Sequence, residues 1–228
     1  MNHQDARGRS AVTGMLWPVG LLACLASAAS AATLTVKVLD RDGLPVTGVV
    51  VHATPLGRES PKRDPHATPV MDQREEQFTP HILVVQTGTA VLFPNHDAVS
   101  HHVYSFSRPK PFELPLYKGM AYPPIVFDQP GIVDLGCNIH DSMEAHVVVI
   151  DTPHFAMTSA DGGVELTGLP AGEYAVEIYT PRLRASLLPA PIDVTLHGET
   201  GADLQFRFEK RLGPPHTDTS ESLTWSHY

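Results

Sequence analysis

Cysteine is scarce in this chain: its 228 residues contain two, Cys24 and Cys137. Long apolar runs are scarce too. The run at 15–25 is too short to cross a bilayer as a helix, and no later segment approaches the roughly 18 apolar residues a span needs. Charge is sparse, at 18% Asp, Glu, Lys and Arg, and the balance is acidic, with a net charge of −9 and no basic run. Nucleic acid and anionic lipid are therefore poor partners. What remains is an apolar content of 42%, enough for an ordinary core in one large or two small domains.

The N-terminus reads as an address. Arg7 and Arg9 precede the run at 15–25, and Ala29-Ser30-Ala31 is the preferred cleavage site among the small residues that follow. Residues 1–31 are thus expected to be a signal peptide, and the mature chain periplasmic. Leu21-Leu22-Ala23-Cys24 also resembles a lipoprotein box, which would make Cys24 an acylated anchor; the cleavage sites after it weigh against this. Removing 1–31, with Arg7 and Arg9 against Asp5, takes the net charge from −9 to −10. It also leaves Cys137 as the one thiol. In an oxidising compartment a lone thiol is a liability unless something such as a metal occupies it.

Twenty-one prolines and seventeen glycines scattered along the chain favour short strands and turns over long helices. The alternation of Leu34, Val36 and Val38 predicts a strand over 33–40. Further strands are expected at 48–53, 70–76, 82–86, 89–93, 101–106, 125–127 and 132–135. After them come 145–150, 164–166, 175–179, 192–196 and 204–208. The proline-bearing stretches 55–69 and 107–124 read as irregular, 157–163 as a turn, and 210–228 as a polar tail. No repeat and no long helix stands out, so the class is all-β, built as a sandwich.

The chemistry is concentrated in Cys137-x-x-His140-x-x-Met143, a loop between two expected strands. Thiolate and thioether select copper, imidazole suits both of its oxidation states, and two His, one Cys and a weak Met make an electron-transfer set. The loop lacks one imidazole. His101 and His102 open a strand after the polar loop of Asn95, and alternation lets only one of them face a metal. Val103 and Phe106 leave that parity open. The outer partners of the ligands are expected from amides near the Cys137 loop and from the Asn95 region.

His96, His102 and His146 are expected to be solvent-facing or hydrogen-bonded, and His66, His81, His154 and His216 carry no motif. The stretch Asp72 to Glu76, mixed with Arg74, reads as a solvated edge. Enzymatic readings fare badly. Gly136 and Asn138 flank Cys137, no His-x-His pair exists, and no Ser-His-Asp order or carboxylate pair stands out.

These residues carry a resemblance. Residues 70–150 resemble a cupredoxin, and the short Cys137-x-x-His140-x-x-Met143 loop is similar to that of amicyanin. The phrases FPNHDAVSHHVYSF, FELPLY, FDQPGIVDLGCNIHDSM and DTPHFAMTSADGG resemble cupredoxin-containing proteins often labelled methylamine utilization protein. The resemblance implies one copper ion on His101, Cys137, His140 and Met143, with His101 preferred over His102. It implies an exported one-electron carrier with a redox partner protein and no turnover of substrate. The rival readings are a copper carrier or storage protein, and a binding or scaffold sandwich with a structural copper.

The flanks, VKVLDRDGLPVTGVVVHA and TSADGGVELTGLPAGEYAVEIY, resemble a carboxypeptidase-regulatory or transthyretin-like sandwich. On that resemblance 32–58 and 151–210 form one discontinuous domain, interrupted by a Greek-key cupredoxin at 70–150 and followed by the tail 211–228. Two positions depart from the pattern. His102 stands where small cupredoxins carry an Asn that braces the Cys loop, and Asp141 with Ser142 makes polar a loop that is apolar in amicyanin.

Overall fold

The computed structural model describes residues 31–62, 68–198 and 200–216. Apart from Ala31, the expected signal peptide, Cys24 included, lies outside the described residues, as do 217–228 of the expected tail and His66. Among the described residues no helix is long and apolar enough to cross a membrane.

The chain opens with β1 (Ala31–Leu39) and β2 (Val50–Pro55). Then come β3 (Asp72–Arg74), β4 (Gln77–Thr79), β5 (Ile82–Gln86), β6 (Thr89–Val91), β7 (His101–Ser105) and β8 (Phe112–Tyr117). They are followed by β9 (Ile125–Phe127), β10 (Gly131–Gly136) and β11 (Glu144–Ile150). The chain continues with β12 (Phe155–Met157), β13 (Gly163–Pro170), β14 (Gly172–Tyr179), β15 (Ile192–Leu196) and β16 (Ala202–Arg207).

The outer strands make two sheets, β13-β1-β16 and β12-β2-β14-β15. Alternation along β1 sends Leu34, Val36 and Val38 inward, where they meet Val51, Tyr174, Val176, Phe206 and Phe208. The middle strands make a five-stranded sheet, β5-β11-β10-β7-β8, with the pairs β3-β4 and β6-β9 beside it. Their core gathers Phe78, Val85, Val91, Val103, Phe127, Val133, Ala145 and Val147. The architecture is all-β, and strands β3 to β11 interrupt the sandwich that β1 and β2 begin.

A third apolar cluster joins the two cores. Ile82, Val84, Val148 and Ile150 on the back of the five-stranded sheet pack against Val50 and Tyr179. This explains why β5 and β11 read as continuous apolar runs: both of their faces are covered.

The structure corrects several expectations. The strand expected over 70–76 is a hairpin, turning at Glu75 and Glu76 with positive φ of 51° and 59°. Its first half is not a solvated edge, since Asp72 and Gln73 are buried. The stretch 107–124 is not wholly irregular, because β8 lies within it as an edge strand on β7. Pro115 is tolerated there because an edge strand need not donate on its outer side. The turn expected from Met157 starts later, since β12 runs through that residue, and β13 extends to Pro170. Truncating Phe127→Ala should lower unfolding stability by about 3–5 kcal/mol. Chemical denaturation checks this, and a loss below about 1 kcal/mol would contradict the packing described.

Candidate metal centre

The centre sits where β10 ends and β7 begins. The two strands meet through the pair Gly136–Tyr104, which sets the start of the Cys137 loop against β7. Gly136 is required there: a Cβ on it would lie 2.7 Å from the Tyr104 ring and hydroxyl. Cys137 follows directly. His140 and Met143 occupy the tight loop to β11, where the Met143 amide donates to the His140 carbonyl at 3.0 Å.

His101, Cys137 and His140 converge, with one potential ligand atom from each lying within 4.8 Å of the others. His140 Nδ1 is 4.0 Å from Cys137 Sγ. That is inside the about 4.4 Å that two metal bonds of about 2.1 and 2.3 Å span. The rings of His101 and His140 lie edge to face, with centroids 4.9 Å apart. Met143 is buried in the same apolar cluster as Cys137.

His101 shows whether these residues suit a metal. Its side chain is wholly buried, and its Nε2–H donates to Asp97 Oδ2 at 2.6 Å. Its Nδ1 is buried with no hydrogen-bond partner. A stranded polar nitrogen costs about 1–3 kcal/mol. Nδ1 of His52, Nδ1 of His102 and Oε1 of Gln73 are also buried without a partner, and what sets His101 apart is that it also belongs to the group with Cys137 and His140. A ring whose second nitrogen donates to a carboxylate is the usual outer arrangement of a metal-binding imidazole. The fit is good.

The Asn95 region supplies the outer partner of His101, as expected, in Asp97, a residue the sequence did not single out. Besides His101, its carboxylate accepts the amides of Glu75 at 2.7 Å and Glu76 at 2.9 Å, and so closes the β3–β4 turn. Burial raises its pKa, but the amide of Glu76, the ring of His101 and the amide of Glu75 outweigh that and hold it below the usual carboxylate range. Asn95 Oδ1 accepts the Asp97 amide at 2.9 Å, while its Nδ2 donates to the carbonyls of Val99 and Tyr117. The turn also carries Glu76 to 3.8 Å from His140 Nε2. An acid four residues before a candidate His, in a loop opened by Asn, was the available signal.

The remaining imidazoles take other partners. His102 points away, its Nε2 at 2.8 Å from Glu113 on β8, so His101 and not His102 joins the group. His96 bonds Asp72 and His146 bonds Asp134, each through Nδ1 at 2.8 Å.

With this geometry in view, similarity to known proteins is limited. No protein-family model matches the chain, and no curated protein does. Solved structures match in part. A reduced amicyanin mutant is 26% identical, with 43% of this chain and 98% of that chain covered and a TM-score of 0.33. A copper-containing nitrite reductase from Thermus scotoductus SA-01 is 23% identical, with 42% of this chain covered and a TM-score of 0.35. The chain spans 25% of the length of that enzyme. A purple cupredoxin from Nitrosopumilus maritimus is 22% identical, with 35% of this chain and 95% of that chain covered and a TM-score of 0.31.

The hydrogen bonds set the tautomer of His101. In metal-free protein, 15N NMR should find Nε2 and not Nδ1 protonated wherever the ring is neutral. A neutral ring protonated at Nδ1 would contradict the arrangement.

Proposed function

We propose that the chain is an exported mononuclear copper protein that passes single electrons between partner proteins, with His101, Cys137, His140 and Met143 as its ligands. The observation that carries the reading is the convergence of ligand atoms of His101, Cys137 and His140 within 4.8 Å, at a ring whose Nδ1 is buried without a hydrogen-bond partner. One soft sulfur and two imidazoles, with a thioether in reserve, form the donor set that copper prefers. When bound, copper supplies a one-electron couple between its two oxidation states.

The chain's own residues do the rest. Asp97 holds the proton on Nε2 of His101 and keeps Nδ1 bare. The loop keeps Cys137 and Met143 at 4% and 1% exposure, which excludes water and limits oxidation of the thiol. His140 is the one proposed ligand that is not buried, its side chain 23% exposed, so its outer edge is where a partner comes nearest. Three buried ligands and one exposed edge suit passage of an electron better than binding of a substrate.

We read 70–150 as the copper domain and 32–58 with 151–210 as one discontinuous sandwich around it. Strand order and the three apolar clusters support that division. The charged, apolar and small-residue pattern of residues 1–31 supports export to the periplasm.

Full-length protein given one equivalent of copper should show a strong visible thiolate–copper(II) band. The band should bleach with reductant, return with oxidant and vanish in Cys137→Ser. A colourless protein that holds only copper(I) and ignores oxidant would overturn the carrier reading in favour of copper storage. Asp97→Ala should weaken copper affinity about 10–100-fold, whereas His102→Ala should keep the band. Competition with a copper chelator measures both.

A further inference from the structure

The second sandwich covers the back of the five-stranded sheet at β5 and β11, where Ile82, Val84, Val148 and Ile150 meet Val50 and Tyr179. Toward β10 and β7 the same face lies open. Asp134 of β10 stands opposite His146 of β11, and Gly136 stands opposite Tyr104 of β7, so alternation puts all four on that face. A groove of about 410 Å³ lies there, lined by Tyr104, Phe106, Ser107, Asp134, Leu135 and Gly136. The Phe106 ring leans on that of Tyr104, with centroids 5.1 Å apart. At 87% exposure it is the most exposed large apolar side chain among the described residues.

The described chain ends at the rim of this open face. Gly213 is pinned to Arg182, its amide donating to the Arg182 carbonyl at 2.8 Å and its carbonyl accepting from Nε at 2.9 Å. Pro214 and Pro215 fix the backbone direction, and the ring of His216 then stacks on His81 at 3.6 Å. His81 stands edge to face with His146 at 5.2 Å, and Nδ1–H of His146 donates to Asp134 Oδ1 at 2.8 Å. Rings and carboxylate thus lead from His216 to the edge of the groove. Residues 217–228, outside the described residues, follow His216. Their first half carries Asp218 and Glu221, and their second half carries Leu223, Trp225 and Tyr228 with no acidic side chain.

We infer that residues 217–228 strap across the open face and seat Trp225 in the groove against Phe106 and Tyr104. The reach is ample. From β5 to β7 is three strand spacings, about 15 Å, whereas the nine residues from His216 to Trp225 extend to about 30 Å. An indole offers an apolar face to the two rings and one N–H that needs an acceptor. Asp134, its side chain 68% exposed, supplies that acceptor at the groove. A tethered segment acts at an effective concentration on the order of mM, so a contact this small holds without a partner protein. His216 keeps its stacked place and anchors the strap. Trp225 then covers the backbone of Gly136, directly before Cys137. This inference does not rest on the copper reading, since it uses none of the four proposed ligands.

The metal-free full-length chain carrying Trp17→Phe has Trp225 as its one indole and tests the strap by fluorescence. Emission should lie to the blue of indole in water and be unchanged on dilution. Iodide should quench it several-fold less than after unfolding in urea. Adding Phe106→Ser should return emission and quenching to the values of the unfolded chain. The circular dichroism spectrum should stay the same, because Phe106 is exposed. Leu44→Ser, in the exposed turn between β1 and β2, should change neither reading. By 15N NMR, Trp225→Ser should shift the amides of Tyr104, Phe106 and Gly136. Water-like emission, emission indifferent to Phe106→Ser, or unmoved groove amides would overturn the strap. A blue shift lost on dilution would overturn it too, by assigning the groove to a second copy.

Discussion

A single carboxylate orients the candidate metal centre. Asp97 takes the Nε2 proton of His101, and the ring then has only Nδ1 to turn toward Cys137. The same carboxylate closes the β3–β4 turn through the amides of Glu75 and Glu76, which hold left-handed backbone without glycine's freedom. Asn95 in turn fixes Asp97 from behind. Hairpin, loop and the His101 ring thus form one hydrogen-bonded unit, so a change in any of them reaches the nitrogen proposed to hold the metal.

The packing around this unit explains why the centre lies at one end of a core. Cys137 and Met143 belong to the same apolar cluster as Val103, Val133 and Ala145, so the sulfur atoms lie where water is excluded. A low-dielectric surrounding strengthens the pull of a cation on a thiolate, and it raises the cost of leaving Nδ1 of His101 unpaired. The back of the same sheet is covered by the second sandwich through Val148, Ile150 and Tyr179. Covered on both faces, β11 is a stiff base for the loop that ends at Met143.

Much of this was legible in the residues, and what was hidden has physical causes. The strand at 33–40 showed itself by alternation and the one at 145–150 by its unbroken apolar run, as one-sided and two-sided burial dictate. The loop Cys137-x-x-His140-x-x-Met143 carries its chemistry in its spacing. The choice of His101 over His102 came from the resemblance and not from strand alternation, and β7 indeed pairs with β8 through an irregular register at this point. The β3–β4 turn was invisible because its cause, Asp97, lies far along the chain. β8 was masked by prolines that an edge position accepts.

X-ray absorption at the copper edge of the singly loaded protein distinguishes the proposed ligand set from any other. One short copper–sulfur bond and two imidazole nitrogens are expected around the ion, with any second sulfur long and weak. A first shell of nitrogen and oxygen without sulfur would contradict it, and the role assigned to Cys137 would fall with it.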